Sequence, residues 1–305
     1  MGAFVLAIDQ GTTGSTVALM DEHGKLRASV NFEFEQIYPR PGWVEHRPQD
    51  IWDSVGKGIR AIFRKRICKP ADVVAIGITN QRETALLWDR ESGDALNNAI
   101  VWQCRRTTDF CESLKADGHE KMVRRKSGLV LDPYLSGSKY RWLLRNTAGV
   151  SRLHRAGRVL GGTIDSYLIW RLTGGKAHVT DVSNASRTSL MNLKTGRWDK
   201  QLLDLFEVPG DILPRIAPSS AVLGRTRGVP GLPDGIPIAG VAGDQQAALF
   251  GQACFAQGEA KCTFGTGSFI LMNTGAEPLQ SSSGLLTTVA WQLGEKGKPV
   301  YALEG

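Results

Sequence analysis

Two carboxylates stand where α/β proteins do chemistry. The first, Asp9, closes the apolar run from Phe4 and opens the string Asp9-Gln10-Gly11-Thr12-Thr13-Gly14. Glycine lets backbone approach a phosphate closely, and the Thr12 and Thr13 hydroxyls with the turn N–H groups up to Gly14 can donate hydrogen bonds to its oxygens. A carboxylate at that strand end suits Mg²⁺, directly or through water, because magnesium takes few carboxylates and keeps most of its waters. Taken alone, the same string serves equally as a β-hairpin turn. A second turn of the same kind, Gly265-Thr266-Gly267-Ser268 between two apolar runs, tips the reading toward phosphate. The other carboxylate, Asp244, ends the apolar run 238–243 and opens a helix. It could cap that helix. Its chemical role would be general base, since an alcohol is a poor nucleophile and a placed carboxylate can take its proton during attack on phosphorus. The carboxyl edge of an α/β sheet is where ligands bind, which favours the base.

The elements needed to place these groups are legible in the periodicity. Residues 4–9, 15–20 and 25–35 read as a three-strand antiparallel meander, followed by a Pro/Gly-rich loop at 39–48. From Gln49 onward, Ile51, Trp52, Val55, Ile59 and Ile62 recur at helical spacing. Strands follow at 73–79 and 85–89, with 80–84 at the carboxyl end of the former. Residues 105–216 read as mostly helical, with an apolar helix near 164–172. A loop at 229–237 precedes the strand that ends at Asp244. This order predicts an α/β, ribonuclease-H-like fold of the actin/hexokinase/Hsp70 type. The repeated strand–turn–strand unit at 261–272 predicts a duplicated pair of domains. The division expected is 1–252 and 253–305, the first domain complete and the second truncated, with apolar strand surface left uncovered in the second.

Composition removes several classes. Five cysteines, odd in number and never spaced C-x-x-C, argue against a disulfide framework or a zinc site, and five scattered histidines form no ligand set. No G-x-x-x-x-G-K-[ST] occurs, which excludes a P-loop. The +7 net charge comes from clusters such as Arg64-Lys65-Arg66 and Arg124-Arg125-Lys126. Without interleaved aromatics these read as solvated faces, and no nucleic-acid partner is expected. No leader or apolar span is visible, so the expectation is a cytoplasmic protein with no membrane partner.

Beyond the individual residues, seven segments occur in a family order: Asp9 to Thr13, Pro39 to His46, Thr79 to Thr84, Ala99 to Arg106, Ser183 to Thr188, Gly243 to Gly251 and Phe264 to Phe269. Each is short, but together they cover essentially the whole chain. The sequence resembles the FGGY carbohydrate kinases and, within them, the glycerol kinases. That resemblance implies ATP-dependent phosphorylation of glycerol to sn-glycerol 3-phosphate, with Mg²⁺ at Asp9 and a homo-oligomeric parent. It implies Arg82, Glu83, Tyr134, Asp244 and Gln245 on the glycerol hydroxyls, Trp102 and Phe269 against its carbons, and Thr12, Thr13, Gly14 and Thr266 near the nucleotide phosphates. Individually, Arg82-Glu83 reads as an ion pair and Trp102 and Phe269 as core; their co-occurrence is what the resemblance explains. Two departures stand out. Thr16 occupies the place where an Arg or Lys is usual, and the chain stops at Gly305, short of most of the expected adenosine pocket. An N-terminal fragment with little activity of its own is expected. Another FGGY sugar kinase, or a non-catalytic actin-like nucleotide-binding module, remains the alternative.

Overall fold

The computed structural model describes residues 2–264 and 268–305. Its central sheet has six strands, in the spatial order Ser220–Arg225, Pro237–Gly243, Val73–Asn80, Phe4–Gln10, Gly14–Asp21 and Leu26–Glu33. The last three form the expected antiparallel meander. Strands 4–10, 73–80 and 237–243 run parallel, so their carboxyl ends share one edge.

One face of this sheet carries the main core. Leu6, Ile8, Val17, Leu19, Ile76, Ile78 and Ile238 point to it by strand alternation, and helix Pro48–Arg64 covers part of it with Ile51, Val55, Ile59 and Ile62. Gly58 permits that approach, since a Cβ there would lie 2.4 Å from Val17 Cγ2. The helix Ile164–Leu172 is buried along most of its length and joins the same core, as its apolar sequence predicts.

Strand Ala85–Asp89 departs from the simple reading. It forms where expected but leaves the central sheet for a separate four-stranded one, between Ala99–Ile100 and Val159–Thr163. All five of its residues are buried. The redirecting device is Glu83, whose φ of 60° is left-handed and uncommon for a residue with a Cβ, with Thr84 N–H donating to Arg82 O at 2.7 Å.

A last antiparallel sheet has the order Ala260–Phe264, Ser268–Gly275, Pro299–Glu304, Leu286–Gln292. Its first two strands are the repeated hairpin read from sequence, although the turn itself, with Thr266, lies outside the described residues. Phe264 is 81% exposed and Ile270 53%, so this sheet leaves apolar side chains uncovered, as expected. Among the described residues no helix is long and apolar enough to cross a membrane.

Candidate active site

Register brings the chemistry together. Gln10 and Gly243 both lie opposite Asn80, one on each side of the strand Val73–Asn80. The three chains therefore leave the sheet at one level. Asp9 sits one residue before its strand end, Arg82 and Glu83 follow Asn80, and Asp244 follows Gly243 as the first residue of helix Asp244–Gly251. With two interstrand spacings between them, the Asp9 and Asp244 backbones are about 10 Å apart.

Arg82 is the hub. Its Nε lies 3.2 Å from Asp244 Oδ1 and 3.8 Å from Glu83 Oε1. Its two terminal nitrogens donate to the Glu304 carboxylate at 2.5 and 2.8 Å, and Nη2 also donates to Tyr134 OH at 3.2 Å. The arginine stem lies so close to Gly243 that a Cβ there would sit 2.6 Å from Arg82 Cδ, so glycine is required by packing before any ligand is considered. Burial alone would weaken the Arg82 charge, but Glu304, Tyr134 and Glu83 over-compensate and raise its pKa.

Asp244 is set differently. Desolvation pushes its carboxyl up to about 6, with Arg82 opposing the shift and Glu83 reinforcing it. Its side chain remains 35% exposed, so the carboxylate is reachable, and it is ionised at neutral pH while being more basic than an ordinary aspartate. Gly243, not Asp244, is the N-cap of the helix, and the Asp244 carboxylate accepts the adjacent Gln245 N–H at 2.7 Å.

Aromatic residues pack beside Arg82. Trp102 packs edge-on against Tyr134 at 5.9 Å and Phe269 at 6.0 Å between centroids, and the Arg82 guanidinium lies 5.8 Å from the Phe269 ring. Trp102, Gln103, Arg105, Tyr134 and Phe269 line one open pocket. Tyr134 is held by Asp132, whose carboxylate accepts its N–H at 2.8 Å, and by the buried Lys139, whose ammonium donates to Tyr134 O at 2.5 Å. Gln245 is also buried here and accepts a hydrogen bond from Lys261 Nζ.

The turn at residues 11–14 joins this pocket directly, because Trp102 Nε1 donates to Thr12 Oγ1 at 3.0 Å. Thr13 is exposed at the turn. Gly14 is buried, and a Cβ would meet Phe32 O at 2.9 Å, so strand packing accounts for glycine there. Asp9 keeps contact with solvent, and the surrounding protein raises its pKa by partial desolvation with no neighbouring charge to offset it. No group of three or more His, Cys, Asp or Glu side chains suited to a metal ion occurs among the described residues. A single accessible carboxylate fits magnesium, which keeps several waters, and fits no dedicated protein cage. Thr16 faces Asp9 across the hairpin, and its hydroxyl accepts a 2.9 Å bond from Asn31.

Several members of the site carry no signal of their own in the sequence. Glu304 reaches Arg82 across 222 residues of chain and also accepts from Arg187 Nη2 at 3.1 Å. Arg187 Nε donates to Glu83 Oε1 at 2.6 Å, and Gln246 Oε1 accepts from Arg82 at 3.2 Å. Three cations, Arg82, Arg187 and Lys261, thus face three carboxylates, Glu83, Asp244 and Glu304.

Comparison with known proteins identifies the family. Residues 4–251 match the N-terminal domain of the FGGY family of carbohydrate kinases. The chain is 54% identical over 305 residues to glycerol kinase from Bdellovibrio bacteriovorus, and 53% identical over 303 residues to glycerol kinase 2 from Thermotoga maritima. It covers 100% and 99% of itself in those matches but only 61% and 60% of the relatives' length. Among solved structures, Plasmodium falciparum glycerol kinase with ADP superimposes with a TM-score of 0.94 at 37% identity, covering all of this chain and 61% of that one. Gluconate kinase from Lactobacillus acidophilus gives 0.88 at 26% identity, covering all of this chain and 60% of that one. The ribonuclease-H-like fold is shared with these kinases, and the chain belongs to the FGGY family of carbohydrate kinases.

Proposed function

We propose that this chain carries the acceptor site of a glycerol kinase, which transfers the γ-phosphoryl group of ATP to glycerol and yields sn-glycerol 3-phosphate. The observation that supports it best is the clustering of Glu83, Tyr134 and Asp244 around the Arg82 guanidinium, with Phe269 packed on that guanidinium and Trp102 against Phe269 and Tyr134. A triol offers hydroxyls that need donors and acceptors together and a C–H edge that needs an apolar wall. Such a site rejects ligands that leave its buried polar groups unpaired.

In this reading Asp244 accepts the proton of the glycerol hydroxyl as that oxygen forms its bond to the γ-phosphorus and the bond to ADP breaks. Arg82 fixes the carboxylate, and Glu83 and Tyr134 orient the other hydroxyls. Thr12, Thr13, Gly14 and Thr266 are assigned to the nucleotide phosphates. Asp9 is assigned to magnesium, which when bound supplies charge neutralisation at the phosphate oxygens. Residues 1–252 would form the acceptor domain and 253–305 the opening of the nucleotide domain, in keeping with their separate sheets.

Identity to glycerol kinases at 54%, against 26% to the gluconate kinase, favours glycerol over a sugar. A chimera joining residues 1–305 to the remaining part of the Bdellovibrio relative tests this: it should phosphorylate glycerol with ATP in preference to xylulose or gluconate. Preference for either sugar would reject the assignment. Tyr134→Phe removes one acceptor of an Arg82 hydrogen bond and one polyol partner. It should weaken glycerol binding roughly three- to tenfold by calorimetry, with the thermal unfolding midpoint little changed.

A further inference from the structure

The segment Ser183-Asn184-Ala185-Ser186-Arg187 contributes no residue to the proposed glycerol contacts, yet Ser183, Asn184 and Arg187 bond to groups at or beside the site and Ser186 to the last sheet. It follows the strand Val179–Asp181 and begins a single helical turn, Val182–Ala185, capped by Asp181, whose carboxylate accepts from Ser183 N–H and Asn184 N–H, both at 2.9 Å. Asp181 is fully buried and also accepts from Ser183 Oγ at 3.0 Å and Ser219 Oγ at 2.7 Å, so the turn is fixed before it touches anything else.

From that anchored turn, Ser183 Oγ accepts the N–H of Gly243 at 3.0 Å, one residue before Asp244. Asn184 and Asn80 exchange two amide hydrogen bonds, at 3.0 and 3.1 Å, two residues before Arg82. Arg187 holds the Glu83 carboxylate. Ser186 bonds Thr288 Oγ1 at 2.7 Å and accepts Val289 N–H at 3.2 Å, on the last sheet, whose neighbouring strand carries Glu304. All four side chains are buried at 1% exposure or less.

We propose that residues 181–187 are a positioning clamp that holds the Arg82-Glu83 loop and the Asp244 helix end in one register. The sheet ladder alone does not do this, because pairing between strands 73–80 and 237–243 ends at Asn80 and Gly243. Beyond those residues the two chains diverge into a strained turn and a helix. The clamp is what spans the divergence, with one uncharged bond to the Gly243 backbone N–H, a pair to the Asn80 side-chain amide and one charged bond to Glu83. Its effect on ligand binding rests on the glycerol-site reading; its effect on register does not.

The test uses Asn184→Ala and Ser183→Ala, because removing Arg187 would leave buried carboxylates unpaired and threaten folding. Backbone hydrogen exchange is read on the 305-residue chain, independently of any ligand. The clamp requires faster exchange confined to 81–84 and 243–247, with the hairpin 4–20 unchanged. Uniform acceleration across all elements, or no change at the two strand ends, overturns it. Glycerol titration of Asn184→Ala, Glu83→Gln and the double variant then asks whether the register matters to the site. A loss of roughly three- to tenfold for Asn184→Ala that shrinks in the Glu83→Gln background shows that Asn184 acts through the loop. Additive losses show that it does not. If the parent chain binds no glycerol while exchange behaves as stated, the clamp stands and the glycerol reading fails.

Discussion

Replacing Asp244 with Asn should reduce phosphoryl transfer by about 10²- to 10⁴-fold in the chimera, acting on kcat with KM much less changed. Asparagine keeps the shape and can still place its oxygen 3.2 Å from Arg82 Nε, but it loses the charge and cannot take a proton. The pH dependence gives the same assignment a second handle. A general base works in its ionised form, and desolvation places Asp244 at about 6. Activity should therefore fall as the pH drops through about 6 along a single ionisation, and that limb should vanish from the residual activity of Asp244→Asn. Arg82 lowers the Asp244 pKa. Arg82→Met should accordingly move the limb to higher pH, whereas Arg82→Lys should leave it closer to its place. Steady-state rates between pH 5 and 8 decide the matter.

The largest stability effect is expected at Glu304. Its carboxylate is buried and answers two guanidinium groups, Arg82 and Arg187, so Glu304→Ala leaves two buried cations short of a partner. Breaking a buried pair from one side costs about 3–5 kcal/mol. Removal of Lys200 from its exposed pair with Asp204 should cost only a few tenths of a kcal/mol, roughly the value of an i,i+4 surface pair. Burial would push the Glu304 carboxyl up, but Arg187 and Arg82 hold it below the usual glutamate value. A lowered pKa means that the stabilisation is complete above about 4.5 and is lost as the pH falls toward the folded-state value. Urea unfolding at pH 7 and at pH 4 should therefore show the wild-type chain losing part of its advantage over Glu304→Ala on acidification. Equal differences at both pH values would count against the pairing as its source.

Much of the scaffold is legible from spacing alone. The opening meander follows from alternation around Leu6, Ile8, Val17 and Leu19, and the helix Pro48–Arg64 from Ile51, Val55, Ile59 and Ile62, because each pattern has only one way to bury its apolar side. Asp9 and Asp244 are legible because a carboxylate that ends an apolar strand is rare without a reason. The fate of strand Ala85–Asp89 is not, since its apolar run calls for burial on both faces without naming a partner sheet. The left-handed turn at Glu83 that diverts it has no glycine to announce it.

The candidate site divides the same way. Arg82, Glu83, Tyr134, Trp102 and Phe269 are individually unremarkable and come into view through family resemblance; the structure then links them through Arg82 and Trp102. Glu304 is one acidic residue near the end of an apolar strand, and nothing within its own neighbourhood in sequence marks its partners. Arg187 and Asn184 lie in a segment that resembles the family, but which groups they bond is set by the meeting of strands more than a hundred residues apart. Long-range hydrogen bonds of this kind leave no periodicity to read.

The central claim is that glycerol binds beside Asp244, Arg82 and Tyr134. A crystal structure of residues 1–305 grown without glycerol and then soaked with it over a concentration series tests that claim most directly. The account predicts one glycerol molecule with a hydroxyl within hydrogen-bond distance of the Asp244 carboxylate and its carbon chain against Trp102 and Phe269. Glycerol ordered elsewhere while only water lies against Asp244 and Tyr134 would contradict it.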